Sequence, residues 1–348
     1  MYFASDNWAG AAPQIIDAVT REAGRFGSAY ATSDVDKAAE ARFSEIFERE
    51  VAVFFVATGT AANSLALTAA NRPGGAVFCH RHSHIEVDEC GAVGFQSCGA
   101  RLMPLPGSLG KFAADDLARA IEPFSPDFVH GGQPMAVSIT QATEVGTTYS
   151  IDEIKALSEI ARANGLPLHM DGARFANALI DLDATPAQMS WQAGVDILSF
   201  GGTKNGCLAA EAIVVFDPDL AAQLPYLRMR AGHLFSKMRF ISAQFEAYLN
   251  DGLWLELARH ANAMADRLRE AISASNRARL AWPTSANEVF VAMPASEAER
   301  LRTGGAQFHD WSHSEDFQPG GDEALVRLVT SFATEREHVD RFAELLTG

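Results

Sequence analysis

The residues of this chain best suited to chemistry lie in three short motifs. In Ser-Phe-Gly-Gly-Thr-Lys-Asn-Gly (199–206), a single lysine, Lys204, follows an apolar run and sits among glycines and small hydroxyl residues. An ammonium group taken out of water is costly and its pKa falls; the neutral amine that results is a nucleophile toward carbonyl carbon. In His-Met-Asp-Gly-Ala-Arg (169–174), Asp171 closes another apolar run. A carboxylate there can pair with a protonated ring nitrogen, and Arg174 can hold a second carboxylate in a two-pronged hydrogen bond. In Ala-Thr-Gly-Thr-Ala-Ala-Asn (57–63), Gly59 lets a ligand approach the backbone and Thr60 can cap a following helix. The start of such a helix offers unbonded N–H groups and a favourable dipole to an anion such as phosphate. Taken singly, each motif has an ordinary structural reading: an exposed loop lysine, a capping aspartate beside a surface arginine, and a capped helix without ligand.

For these motifs to meet, the elements that carry them must share one edge of a sheet. From 51 to 216, short apolar runs alternate with amphipathic stretches, the pattern of a mainly parallel sheet covered by helices. Strands are predicted at 51–57, 76–80, 136–140, 166–171, 195–202 and 209–216, the last at an edge, with weaker ones at 101–105 and 127–130. Helices are predicted from near Thr60 and over 151–164, the second stopped by Asn164 and Gly165. Open α/β sheets bind ligands at the carboxyl ends of their strands, where all three motifs fall. Beyond Pro218 the pattern changes. Residues 231–275 have helical apolar spacing, followed by strand-like runs at 288–293 and 324–332 and a terminal helix. The chain therefore reads as a large domain over 1–245 and a small α+β domain over 246–348, closely packed with no low-complexity linker.

Jointly, the motifs describe a pocket for pyridoxal 5'-phosphate (PLP): an anion site, a partner for the pyridinium nitrogen and an amine for the aldehyde. Here the sequence resembles the fold-type I PLP enzymes, specifically the low-specificity L-threonine aldolase family, most densely over 5–239. The resemblance implies a transferase-like α/β large domain with a mainly parallel seven-stranded sheet, plus a smaller α+β C-terminal domain. It implies Lys204 as the Schiff-base lysine, Asp171 as the pyridinium partner and Gly59 with Thr60 as the phosphate-binding pair. Arg174 matches an arginine reaching the substrate carboxylate beside the cofactor, and Ser5 and Arg327 match further carboxylate contacts. Within 79–92, His84 matches a histidine that stacks on the cofactor ring, with Glu89 following on the same helix face. Tyr30 matches an active-site tyrosine usually shared across a subunit interface, and Arg239 a basic residue on the phosphate side of that interface. Where many aldolases carry Glu-Asn-Thr-His, this chain reads Ile-Thr-Gln-Ala-Thr-Glu-Val-Gly-Thr (139–147), which makes Gln141 and Glu144 substrate-side candidates. Residues 230–240 resemble a second branch of the family, close to phenylserine-cleaving enzymes.

The implied reaction is cleavage of L-β-hydroxy-α-amino acids, such as L-threonine, L-allo-threonine or phenylserine, to glycine and an aldehyde. Arg174, Arg327 and Ser5 would hold the carboxylate, and His84, directly or through water, would take the β-hydroxyl proton. No catalytic metal is implied, since His80, His82 and His84 alternate without a further Cys or His at ligand spacing. Rival readings keep the same fold: a lyase that eliminates a group from Cβ, an aminotransferase, or a non-catalytic binding protein.

Composition bounds the partners. Lysine and arginine number 28 against 44 aspartate and glutamate, a net charge of −16 that argues against wrapping nucleic acid or sitting on anionic lipid. The first residues lack a basic and apolar leader pattern, and no apolar stretch approaches ~18 residues, so a soluble cytoplasmic protein is expected. The four cysteines form no CxxC pair and read as free thiols. The expected partners are a small amino-acid substrate and further copies of the chain, as a homodimer or homotetramer with shared sites.

Overall fold

The computed structural model describes residues 1–124, 127, 129–312 and 317–347. Its larger sheet has seven strands: β1 (Ala52–Val56), β2 (Gly75–His80), β3 (Arg101–Leu105), β4 (Gln133–Thr140), β5 (Leu168–Gly172), β6 (Ile197–Gly201) and β7 (Glu211–Val215). They run in the order β1-β7-β6-β5-β4-β2-β3, and β7 is antiparallel to both of its neighbours. The remaining pairings are parallel. Strands covered on both faces read as unbroken apolar runs, which is why β2, β5, β6 and β7 are buried along their whole length.

Three expectations need correction. The run at 209–216 is not an edge strand: β7 lies between β1 and β6, and the edges are β1 and β3. Order along the chain does not encode order across a sheet, and a short connection after β6 returns β7 antiparallel beside it. The proposed strand at 127–130 is absent: Asp127, Val129 and His130 lie in turns, and residue 128 is outside the described residues. Residues 231–238 are not helical, and the helical stretch after them breaks at Asn250–Gly252 into Arg239–Leu249 and Leu253–Ser273.

Helices cover both faces of the sheet. Gly59–Ala69 is buried from Ala61 to Thr68, and its alanines, serine and threonine allow close packing on the strands. A nest of aromatic side chains fills the opposite side. Phe43, on the helix Asp34–Ile46, meets Phe47, Phe55, Phe200 and Phe245 with ring centroids 5.1–6.5 Å apart. Edge-to-face and tilted contacts of this kind add to the area each ring buries.

A second, antiparallel sheet contains β8 (Arg279–Leu280), β9 (Glu288–Pro294), β10 (His309–Asp310) and β11 (Glu323–Val329), in the order β10-β11-β9-β8. The helix Leu253–Ser273 ties it to the rest. Its buried residues Trp254, Ala258, Ala261, Ala265, Leu268 and Ile272 recur every three or four positions and form one stripe. Trp254 and Ala258 enter the large core, while Ala265, Leu268 and Ile272 pack with Val291, Val326 and Phe342. The chain's own start joins this second cluster through Phe3, whose N–H donates to the Gln307 carbonyl at 2.8 Å. Among the described residues, no helix is long and apolar enough to cross a membrane.

Phe43 lies in the aromatic nest, so truncation leaves a cavity that its rings cannot fill by small shifts. Phe43→Ala is expected to cost about 3–5 kcal/mol. Urea unfolding checks this through a lower midpoint with an unchanged slope.

Candidate active site

Strand register brings the chemistry together. Thr140 at the end of β4 is level with Asp171 on β5, Asp171 with Ser199 on β6, and Gly201 with Glu211 at the start of β7. Because β7 runs backwards, its first residue stands at the same edge as the last residues of its neighbours. Lys204 follows β6 in a single turn, Thr203–Asn205, that ends on Gly206 at φ +113°, a backbone state suited to glycine. Glycine is needed at 201 as well, because a Cβ there would collide with the Ala173 carbonyl. The turn after β6 can therefore pass directly beside the turn after β5, and Lys204 and Asp171 come to line one cavity.

The result is a cavity of about 280 Å³ lined by Gly59, Thr60, His84, Asp171, Arg174 and Lys204. Asn7, Asn63, Glu89, Thr140, Glu144, Thr203 and Glu211 complete its polar wall. The helix Gly59–Ala69 presents its first turn to this space. Thr58, not Thr60, is the cap: its hydroxyl accepts from the Ala61 N–H at 3.2 Å. Thr60 lies two residues too far along the chain to fill that place, since it is already helical. A Cβ on Gly59 would meet nothing within 4 Å, so open space faces the backbone there.

A chain of hydrogen bonds links the acids of the wall. Asn63 Nδ2 donates to Asp171 Oδ2 and to Glu89 Oε1, both at 2.8 Å, and the Ala173 N–H donates to Asp171 Oδ1 at 3.0 Å. Glu89 Oε1 also meets His84 Nδ1 at 2.9 Å. That bond raises the His84 pKa, with burial opposing it. The His84 backbone N–H donates to Glu144 Oε1 at 2.7 Å, and the Thr140 hydroxyl donates to the same oxygen at 2.8 Å. Burial pushes Glu144 up to about 7, reinforced by Asp171 and opposed by those donors. Glu211 is also pushed up to about 7 by burial, with the hydrogen bond from Thr203 and the Lys204 charge opposing.

The arginine side is built on ion pairs. Arg174 donates from Nε and Nη2 to the two oxygens of Asp6 at 2.8 and 3.1 Å, and Nη2 lies 3.4 Å from Glu288 Oε1. Arg327 Nη1 lies 3.6 Å from the same Glu288 oxygen, with its guanidinium 4.9 Å from the centroid of Trp311. Burial alone would raise Asp6, but Arg174, Lys204 and the hydrogen bonds from Arg174 and Asn287 hold it below the usual carboxylate range.

Several predicted residues lie outside the cavity. Gln141 is fully buried, with its amide bonded to the backbone N–H and carbonyl of Tyr149, both at 2.9 Å, so it braces the loop after β4 instead of facing a ligand. Ser5 caps a short turn by accepting from the Asn7 N–H, and it is Asn7 that reaches the cavity. Arg327 stands behind Glu288. Tyr30 is exposed, and its N–H donates to the Ser236 carbonyl; Arg239 packs close by against Gly27. Among the described residues, no three His, Cys, Asp or Glu side chains gather as metal ligands. His80 Nε2 instead meets the Gly107 carbonyl at 3.1 Å.

Asn63, Asp6, Glu211 and Glu288 were not singled out from the sequence. Asn63 is four residues after Gly59 and so lies on the same helical face. Glu211 and Glu288 each open an apolar strand run, a costly place for a carboxylate without partners.

These residues fit PLP on their own chemistry. Open space faces the helix start at Gly59 and Thr60, whose N–H groups lie in the first turn and have no partner within the helix. The same cavity holds a carboxylate fixed by two donors, Asp171, and an amine, Lys204.

Asp6 contributes stability above its unfolded pKa of about 4, and that contribution is lost as pH falls toward its lower folded value. Asp6→Asn is expected to cost about 3 kcal/mol at neutral pH, since Arg174 loses a buried partner. It should also flatten the loss of stability on acidification below about pH 4. Urea unfolding of both proteins across this range measures the two effects.

Residues 2–296 match the family model described as beta-eliminating lyase. Low specificity L-threonine aldolases from Pseudomonas sp. (strain NCIMB 10558) and Pseudomonas aeruginosa are each 40% identical to the chain, over 98% of it and 95% of the relative. The structure of Leishmania major threonine aldolase superimposes with a TM-score of 0.92 at 30% identity, covering 99% of this chain and 98% of that one. With a full-length likeness in both sequence and backbone, the chain belongs to the beta-eliminating lyase family and, within it, to the low specificity L-threonine aldolases.

Proposed function

We infer that this protein cleaves L-β-hydroxy-α-amino acids to glycine and an aldehyde, with PLP held at Lys204. The observation that carries the reading is the meeting of Lys204, Asp171, Arg174 and His84 with the helix start at Gly59 in one cavity. Bound PLP supplies an electron sink for the pair that the breaking Cα–Cβ bond leaves on Cα. The Lys204 amine is the group that would hold the cofactor's aldehyde. Asp171, its oxygens already oriented by Asn63 and Ala173, accepts a proton-bearing ring nitrogen and favours its charged form. Gly59 and Thr60 offer backbone N–H groups to phosphate. His84, braced by Glu89, lines the same cavity and would pack against the bound cofactor.

Arg174 is the cation placed to orient a substrate carboxylate. Asp6 and Glu288 engage its Nε and Nη2, leaving Nη1 outside those bonds. Holding the carboxylate sets which bond of Cα stands across the ring, and hence which bond breaks. Arg327 supports this side by sharing Glu288 with Arg174.

Cytoplasmic homodimers or homotetramers with shared sites belong to the same reading. Tyr30 and Arg239 lie outside this chain's own cavity, beside the exposed Phe26 and Phe235. A neighbouring subunit's cavity is where such residues would serve.

Incubating the purified, PLP-supplemented protein with L-threonine, L-allo-threonine and phenylserine is expected to release glycine and the matching aldehyde. Pyruvate and ammonia in their place would favour elimination from Cβ. Lys204→Ala is expected to gain no cofactor mass after borohydride reduction and to fall to the background rate.

A further inference from the structure

The cavity wall holds three acids besides Glu89: Asp171, Glu211 and Glu144. Two of them are committed. Both Asp171 oxygens have donors, and Glu211 stands with Thr203 beside Lys204, on the β7 side. Glu144 differs. Its Oε1 takes the His84 N–H and the Thr140 hydroxyl, while its Oε2 is buried without a hydrogen-bond partner.

The loop carrying Glu144 is held on both sides. Gln141 grips the Tyr149 backbone, the Thr143 N–H donates to the Thr147 carbonyl at 2.9 Å, and the hydroxyls of Thr143 and Thr147 meet at 2.8 Å. A carboxylate so fixed keeps its position while chemistry takes place beside it.

We propose that Glu144 takes the proton from the substrate's β-hydroxyl, an assignment that rests on the cleavage reaction inferred above. His84 is the weaker base in this setting. Its Nδ1 is spent on Glu89, and the same bond favours the protonated ring, which has no lone pair to offer. In the step, the proton passes from the β-oxygen to Glu144. The O–H electron pair becomes the second bond of the aldehyde carbonyl, and the Cα–Cβ pair stays with the glycine fragment. The Cα of the glycine fragment then takes up one proton from solvent, and Glu144 gives its proton to solvent, which restores the carboxylate.

The groups around Glu144 suit a base that works near neutrality. Asp171 on β5 repels its charge, and burial acts in the same direction. Arg174 favours the charge, as do the donors from the His84 backbone and Thr140; Tyr149 and Cys79 are further titratable groups that feel it. The activity should therefore rise with pH as Glu144 ionises, around the value of about 7 set by burial.

The test compares wild type, Glu144→Gln and Thr140→Val as PLP-loaded proteins. In Glu144→Gln, kcat for β-hydroxy amino-acid cleavage is expected to fall about 10²–10³-fold, with KM within about threefold. Glycine has no β-hydroxyl, so its dissociation constant and its Cα–H exchange in D2O should stay within about threefold of wild type. Thr140→Val removes a donor to the carboxylate and should move the rising limb of kcat upward by about one pH unit. A wild-type kcat in Glu144→Gln overturns the proposal, and so does an equal loss of glycine binding and exchange, which would mark a structural role. If Glu144→Gln does not fold, an unmoved limb in Thr140→Val overturns it alone. Failure of the wild type to release aldehyde from any β-hydroxy amino acid would instead refute the cleavage reading.

Discussion

A carboxylate at the end of a buried parallel strand is costly unless its oxygens are bonded, and Asp171 meets that demand through two donors. One of these, Asn63, lies inside a helix that is buried along most of its length. The Asp171–Asn63 bond therefore sets how the helix Gly59–Ala69 sits over the sheet, and with it the position of its first turn. The same amide nitrogen reaches Glu89, Glu89 braces His84, and the His84 backbone holds Glu144. Charge and burial are thus matched along one connected path, in which each buried acid is fixed by a donor that also positions the next. A low-dielectric wall strengthens every member of such a path and makes a missing one expensive.

The arginine side solves a different problem. Glu288, at the start of β9, and Asp6, near the start of the chain, are buried charges, and Arg174, just beyond the end of β5, is largely shielded between them. Their ion pairs join the N-terminal turn, the end of β5 and the start of β9 at a single point. Buried pairs add little net stability over apolar packing, but breaking one leaves an uncompensated charge. The geometry is accordingly well specified: the second sheet and the N-terminal segment must stand where Glu288 and Asp6 reach the guanidinium. Arg327 shares this arrangement at one remove, which is why it stands behind the cavity wall.

Much of the fold is legible from local pattern. Apolar runs place six of the seven strands of the larger sheet within a few residues, and the weaker signal at 101–105 finds the seventh. The helix over 151–163 shows its cap, Ser150, and its stop at Asn164 in plain residues. What pattern does not carry is lateral order, and β7 is the example: an interior antiparallel strand and an edge strand can have the same composition. The break at 250–252 is hidden for a related reason, since helical spacing persists on both sides of it.

For the site, Lys204, Asp171, Gly59, Thr60 and Arg174 could be put forward from residue type and motif, because few side chains suit an amine, a ring-nitrogen partner or an anion cradle, while His84 came from the family resemblance. Which neighbours support them could not be named that way. Gln141 was expected to face substrate and instead holds a loop, because amide groups bond equally well to backbone and to ligand. Asn63, Asp6, Glu211 and Glu288 come from distant parts of the chain, and their importance arises only when β5, β7, β9 and the helix after β1 converge. The amino-acid sequence by itself determined which groups are candidates for chemistry and the sheet that carries them, since both are written in side-chain chemistry and short-range periodicity. Tertiary structure alone decided the hydrogen-bond path and the ion pairs, because those depend on register and crossing geometry between segments far apart in the chain.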